Sequence, residues 1–474
     1  MTDTLSRPLQ DAAVTHDTSS GDEPQKLKRS IGVVGGTLLT LSCVTPASSL
    51  FVIVPGLFAS LGTGTALALS VAMILCIGVA FCYSELGTLV PSAGGEYAMA
   101  GHTIGRFSGW LVFIQAIVAV LIIPPIIALG TATYLAPLVH VDAKLMGAAV
   151  MLTATVMGLL DLRANAWITG IFLVLEVVAA GLVAALGFAH SSRPVSVLVH
   201  PELPAAHGSG VSAVGMGAMI AGLALALFIT QGFSTAVYLA EEMDQPRRTV
   251  PRTVLWTLGL GSAVILIPVI AITLGAPTMS ALAAGDISGM VTAWSNSAVG
   301  TFVSLCVALA IINAAIVMVI QNSRVLYASA RDQAWPAPVN RALGNLSKRY
   351  GAPWVATLAV GVPGAVLCFV PVDQLTGVTG VSVTLLYGFV AAATLGTRRG
   401  KHKDADAWRM PLWRTVPVLI LAVLGYVLST QAPRDLLITG GITVAAALYW
   451  VFYLRPRPET RWVITVPEDD RPAV

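Results

Sequence analysis

Twelve long apolar runs dominate this chain and leave few folds open to it. Their limits are 31–58, 66–89, 107–135, 143–161, 165–189, 212–240, 251–275, 298–328, 353–371, 375–396, 413–430 and 435–454. About 20 mostly apolar residues let a helix cross a bilayer, and a helix satisfies its own backbone groups where water is absent. Charged residues make up only 11% of the 474, against about 25% in soluble domains. Lipid must therefore act as solvent for much of the surface. The pattern predicts an all-α membrane protein with twelve transmembrane helices.

Charge placement tests this parsing. The first 30 residues are polar and lack the apolar stretch of a cleaved signal. With that end inside, twelve crossings return the C-terminus to the same side. Only Lys144, Arg193 and Arg434 of the 27 Lys and Arg residues then fall outside. The rest gather in clusters such as Lys26/Lys28/Arg29, Arg247/Arg248/Arg252 and Arg398/Arg399/Lys401/Lys403, the positive-inside pattern. Losing one helix would invert every later loop. These clusters set topology and meet anionic lipid headgroups, and no basic domain stands clear of the membrane to bind nucleic acid. The expected layout is a disordered cytoplasmic tail (1–30), a transmembrane domain (31–455) and a second polar cytoplasmic tail (456–474), in the plasma membrane. All five cysteines lie in apolar runs without a CxxC pair, so no metal, disulfide or cofactor site is expected.

Two runs carry breaks. The first contains Thr45-Pro46-Ala47-Ser48-Ser49, where proline removes a backbone donor. The sixth turns abruptly polar at Phe228-Ile229-Thr230-Gln231-Gly232-Phe233-Ser234. Irregular backbone at membrane depth persists only when buried in protein or lining a cavity. Runs 1 and 6 correspond if five helices repeat, and they start on opposite sides. That relation fits an inverted repeat (about 31–189 and 212–396, with extra helices about 413–454) around a binding site at the midplane.

Glu176 is the one acid near the middle of a predicted helix. Counted from Trp167, it lies about 13 Å into the membrane. A charge at that depth costs about 2.5–3.5 kcal/mol on insertion scales, which marks a functional group. Reversible protonation is the least costly use of such a position.

Three stretches are similar to the amino acid–polyamine–organocation superfamily of transporters. Tyr83-Ser84-Glu85-Leu86 with Pro91-Ser92-Ala93-Gly94-Gly95-Glu96-Tyr97 resembles the pattern between its helices 2 and 3. Gly232-Phe233 through Ala240-Glu241-Glu242, Pro246-Arg247-Arg248 and Val250-Pro251-Arg252 resembles its helix 6 and following loop. Ser323-Arg324-Val325-Leu326-Tyr327 with Ala330-Arg331-Asp332 resembles the end of its helix 8. The resemblance implies a five-plus-five inverted-repeat core, alternating access, and movement of amino acids or related amines, by symport with a proton or another ion or by exchange.

On this resemblance Thr45, Ala47, Ser48, Ser49, Phe228, Thr230, Gln231 and Gly232 are expected to meet the substrate, with Phe228 closing over it. Glu176 is expected to couple protons. Glu85, Glu241, Glu242, Arg247, Arg324 and Arg331 are expected to form a cytoplasmic gate. Two features depart from the pattern: Ala47-Ser48-Ser49 stands where Gly-Ser-Gly is usual, and Glu176 stands where many proton-coupled members carry Lys.

Other classes fit less well. A membrane enzyme needs clustered His, Asp or Ser, and the seven histidines are scattered. A channel needs a filter loop, and a primary pump a phosphate-cradling Walker A sequence. Neither pattern occurs.

Overall fold

The computed structural model describes residues 31–44, 46–92, 94–136, 138–160, 165–205, 210–240, 242–347, 351–398 and 407–464. Every predicted apolar run coincides with a helix or with helical pieces. The first run is α1 (Val33–Val44), α2 (Pro46–Ser48), a π-helical turn (Ser49–Ile53) and α3 (Val54–Leu61). Then come α4 (Gly64–Leu89), the short α5 (Gly95–Thr103), α6 (Arg106–Leu135), α7 (Ala143–Leu159) and α8 (Asn165–Ala189). The sixth run is α9 (Met216–Ile229) and a 3₁₀ segment (Phe233–Leu239). The long α10 (Pro246–Gly275) follows, then the short α11 (Met279–Ala284) and α12 (Ile287–Trp294). The chain continues through α13 (Ser297–Arg331), α14 (Ala337–Leu343), α15 (Trp354–Leu367), α16 (Val372–Gly396), α17 (Thr415–Ser429) and α18 (Pro433–Tyr449), with a π turn at Trp450–Leu454.

Among the described residues eight helices are long and apolar enough to cross a membrane, and runs 1, 4, 9 and 11 form shorter apolar helices. The outer surface carries large apolar side chains, including Ile74, Val174, Trp256, Val366, Leu419 and Phe452. A water-facing surface rarely shows so many apolar groups together. One small hairpin pairs Glu202–Pro204 with Val211–Ala213, and its Glu202 carbonyl accepts from the Thr63 N–H at 3.0 Å, which ties it to the turn between α3 and α4.

Around the centre, α4 and α8 pack on α10, and α6 packs on α13 and α16. Small residues let these helices approach closely. A Cβ on Gly130 of α6 would stand 2.5 Å from the side chain of Val52 in the first run, the small-residue contact that membrane helices favour.

The chain end departs from the expected polar tail. Residues 455–464 fold back, and Trp462 is wholly buried. Its ring centroid lies 5.1 Å from that of Tyr97 and 5.2 Å from those of Trp110 and Phe113. Backbone hydrogen bonds run from Trp462 to the Gln333 carbonyl at 3.1 Å and from Val463 to Asp332 at 2.9 Å. The Arg106 guanidinium donates to the carbonyls of Arg461 (2.6 Å) and Trp462 (2.7 Å). One aromatic side chain thus carries enough apolar area to anchor a stretch whose other residues are mostly polar. Trp462→Ala is expected to cost about 3–5 kcal/mol, the usual range for an emptied aromatic site. The half-exposed Val463→Ala should stay within about 0.5 kcal/mol. Thermal unfolding of the purified protein in detergent measures both.

Candidate functional site

Pro46 cannot donate a backbone hydrogen bond, and the chain answers with a wider turn. The Val54 N–H reaches the Ser49 carbonyl, five residues back, and the Tyr134 hydroxyl of α6 donates to the Phe51 carbonyl at 2.8 Å. Beyond Pro46 the first run therefore continues as a π turn with an added side-chain bond. Such turns recur at functional sites. Ser48 and Ser49 are both buried, and the Ser48 hydroxyl has no hydrogen-bond partner among the described residues. Thr45 lies outside the described residues, as does the side chain of Ala47.

The break in the sixth run is sharper. α9 ends at Ile229, and Gly232 adopts φ +120°, a conformation that L side chains rarely take. A Cβ there would also stand 2.7 Å from Val44 at the end of α1. The two broken runs thus touch at Val44 and Gly232. Phe228 is buried in the last turn of α9. The Thr230 hydroxyl donates to the Leu227 carbonyl at 3.0 Å and lies 3.2 Å from the Cys76 sulfur. Gln231 is half-buried, and Ser234 is buried.

Glu176 faces inward from α8. It is 2% exposed, whereas Val174, Val177 and Val178 on the same helix are open to the outside. With Ser48, Phe51, Val307 and Ala310 it lines a narrow crevice too tight to hold a water molecule. Sites for small molecules usually exceed about 300 Å³, so this conformation is closed here, and admitting a solute requires the helices to separate. Phe228, Thr230, Gln231 and Gly232 do not line that space. Of these, Gly232 meets the first run at Val44 instead.

Glu85 is fully buried. Arg398 and Arg409 each pair with it at 3.1 Å, and the Thr397 hydroxyl (2.8 Å) and Met410 N–H (3.0 Å) complete its shell. Charge-assisted bonds of this kind are among the strongest in proteins, and they pin the loop between α16 and α17. Among the described residues, Glu242, Arg324 and Arg331 make no hydrogen bond or ion pair with Glu85. Arg331 pairs with Asp332 at 3.5 Å. Arg247 and Arg324 are exposed. The Glu242 carbonyl accepts from the Ile31 N–H at 3.1 Å. Glu241 lies outside the described residues.

A third buried acid received no role from the sequence. Glu96, on α5, accepts from the Tyr83 hydroxyl at 2.6 Å and the Tyr238 hydroxyl at 3.3 Å. Burial pushes its carboxyl above the ordinary range, opposed in part by hydrogen bonds with Tyr83, Ser234 and Tyr238. An acid followed by an aromatic, between glycines and an apolar run, was the available signal.

The family model for amino acid permeases matches residues 31–452. The chain belongs to that family. It is 26% identical over 431 residues to an uncharacterized transporter of Mycobacterium tuberculosis, covering 90% of this chain and 92% of that one. It is 22% identical to a branched-chain amino acid permease of Bacillus subtilis, covering 91% and 92%. It is 21% identical to a methylthioribose transporter of the same organism, covering 92% and 95%. This permease is a multi-pass membrane protein that transports amino acids or related compounds, not an enzyme.

The contact of Gly232 with Val44 yields a prediction. Gly232→Ala combines a strained backbone, about 1–3 kcal/mol, with a collision between the two breaks. It should lower both the unfolding temperature and uptake. Gly259→Ala, inside α10 with nothing within 4 Å of its Cβ position, should be neutral or stabilising by up to about 1 kcal/mol.

Proposed function

We propose that this permease imports an amino acid or a related amine across the plasma membrane together with a proton. On this reading twelve helices span the bilayer with both termini cytoplasmic. Five-helix inverted repeats (about 31–189 and 212–396) form the core, and residues 413–454 add two outer helices. The observation that carries the proposal is the meeting of Glu176 and Ser48 at one closed space. A carboxyl at membrane depth and a hydroxyl lacking a partner among the described residues are the two groups that a proton and a polar solute need. Ser48, Ser49 and the turn from Thr230 to Gly232 bind the solute's polar end. Phe228 closes over it, offering a ring face to an ammonium group. Glu85 holds the α16–α17 loop as part of the inner closure.

Vesicle uptake of a labelled panel (neutral, acidic and basic amino acids, and amines) identifies the substrate. Glu176→Gln keeps shape and hydrogen bonding but cannot titrate. It should retain substrate exchange and lose concentrative uptake driven by an imposed pH step. Concentrative uptake that persists in this variant moves coupling away from Glu176.

Phe228 yields a separate test. Phe228→Ala should weaken apparent affinity about tenfold, some 1.4 kcal/mol, while Phe228→Trp stays closer to the parent. Equal transport by the Ala variant across substrate concentrations reduces Phe228 to packing.

A further inference from the structure

Glu96 is caged rather than paired. It is 4% exposed, and among the described residues it takes part in no ion pair. The groups that face it are hydroxyls. Tyr83 comes from α4, and Ser234 and Tyr238 come from the 3₁₀ segment of the sixth run. Tyr387 of α16 lies close enough to interact electrostatically, and its ring centroid is 6.3 Å from that of Tyr83 and 6.1 Å from that of Phe233. From α6, Arg106 turns to the carbonyls of Arg461 and Trp462 instead. On α5 itself, Tyr97 bonds Asp332 at 2.7 Å, and His102 sits more than one turn further along.

An ionised carboxyl buried without a cation is costly. A hydroxyl, however, can donate or accept, so this cage is satisfied in two states. Ionised Glu96 accepts from the hydroxyls around it. Protonated Glu96 donates to one of them after that hydroxyl rotates. Two of the cage's members, Ser234 and Tyr238, follow the Gly232 hinge directly in sequence. The other side is fixed to α5, where Gly95 at φ +50° lets the backbone press against the Tyr238 ring. The cage therefore joins a hinged segment to a fixed one.

We propose that Glu96 is a proton-operated latch that ties the second half of the sixth run to α5 and sets how readily that half moves. The inference rests on the transport reading only for the purpose of the movement. Its sign follows from linkage. Burial raises the carboxyl in the latched state, whereas a released Glu96 reaches water and titrates in the ordinary range. The latched state holds its proton more tightly. The latch is thus at full strength below the ordinary carboxylate range and weakens as pH rises through the raised value. Between the ordinary and the raised value, release of one proton on opening lets the opening equilibrium grow by at most about tenfold per pH unit, and above the raised value it levels off.

Hydrogen–deuterium exchange of the full chain in detergent tests this without any substrate. Peptides covering Phe233–Leu239 are followed from about pH 5 to about pH 8 and corrected for the chemical exchange rate. The parent should lose protection there as pH rises, while α15 peptides keep theirs. Glu96→Gln, which mimics the protonated state, should stay protected at every pH. Tyr238→Phe removes a donor to the ionised form, so its transition should move to higher pH; this variant carries the test alone if Glu96→Gln does not fold. A flat or inverted parent profile overturns the proposal. So does a Glu96→Gln profile that keeps the parent's slope, or a Tyr238→Phe transition that fails to rise. A failed uptake assay would leave this latch untouched, and a failed exchange result would leave the transport reading untouched.

Discussion

Backbone groups inside a lipid phase have no water to fall back on, and each break in a helix must find protein partners. The two breaks here obey that constraint in different ways. In the first run the lost α-helical bond at Pro46 is followed by a π turn, and Tyr134 takes up the Phe51 carbonyl. In the sixth run Gly232 turns the chain, and the Thr235 N–H and hydroxyl both donate to the Gly232 carbonyl, at 3.0 Å and 2.7 Å. Val44 at the end of α1 fits closely against Gly232, so the two breaks lie against each other.

Three buried acids show how environment assigns work to one chemical group. Glu85 has two arginines and two further donors, so its charge is compensated and its loop is fixed. Glu96 has hydroxyls and no cation among the described residues, so its charge is tolerated rather than neutralised. Glu176 borders a narrow space beside Ser48, where we propose that protonation and solute binding meet. Depth in the membrane alone would rank Glu176 highest, but the partners separate the three.

The helices were legible because apolar length is a local property, and each of the twelve runs became helical within a few residues. The breaks were legible too, since Pro46 and Gly232 act on their own backbone. The form of the first break was not: a π turn depends on Tyr134, more than 80 residues away in sequence. For the same reason Arg398 read as a topology charge until its contact with Glu85, 313 positions away, was seen. Trp462 lay in a stretch whose Pro, Arg and acid content suggests a free tail. Its burial depends on an aromatic cluster drawn from α5, α6, the turn between α13 and α14, and α18, which no local pattern announces.

The two breaks also differ in stiffness, and that difference decides where movement concentrates. The π turn of the first run keeps its hydrogen bonds and is clamped by Tyr134 and by Val52 against Gly130. The segment after Gly232 is 3₁₀, with poorer hydrogen-bond geometry than an α-helix, and its pivot has no side chain to restrict it. On the proposed transport reading, opening the narrow space beside Glu176 costs less if the sixth run swings than if the first unwinds. The hydroxyl cage around Glu96 joins that segment to α5 and α4, which is where the proposed proton latch would act on such a swing.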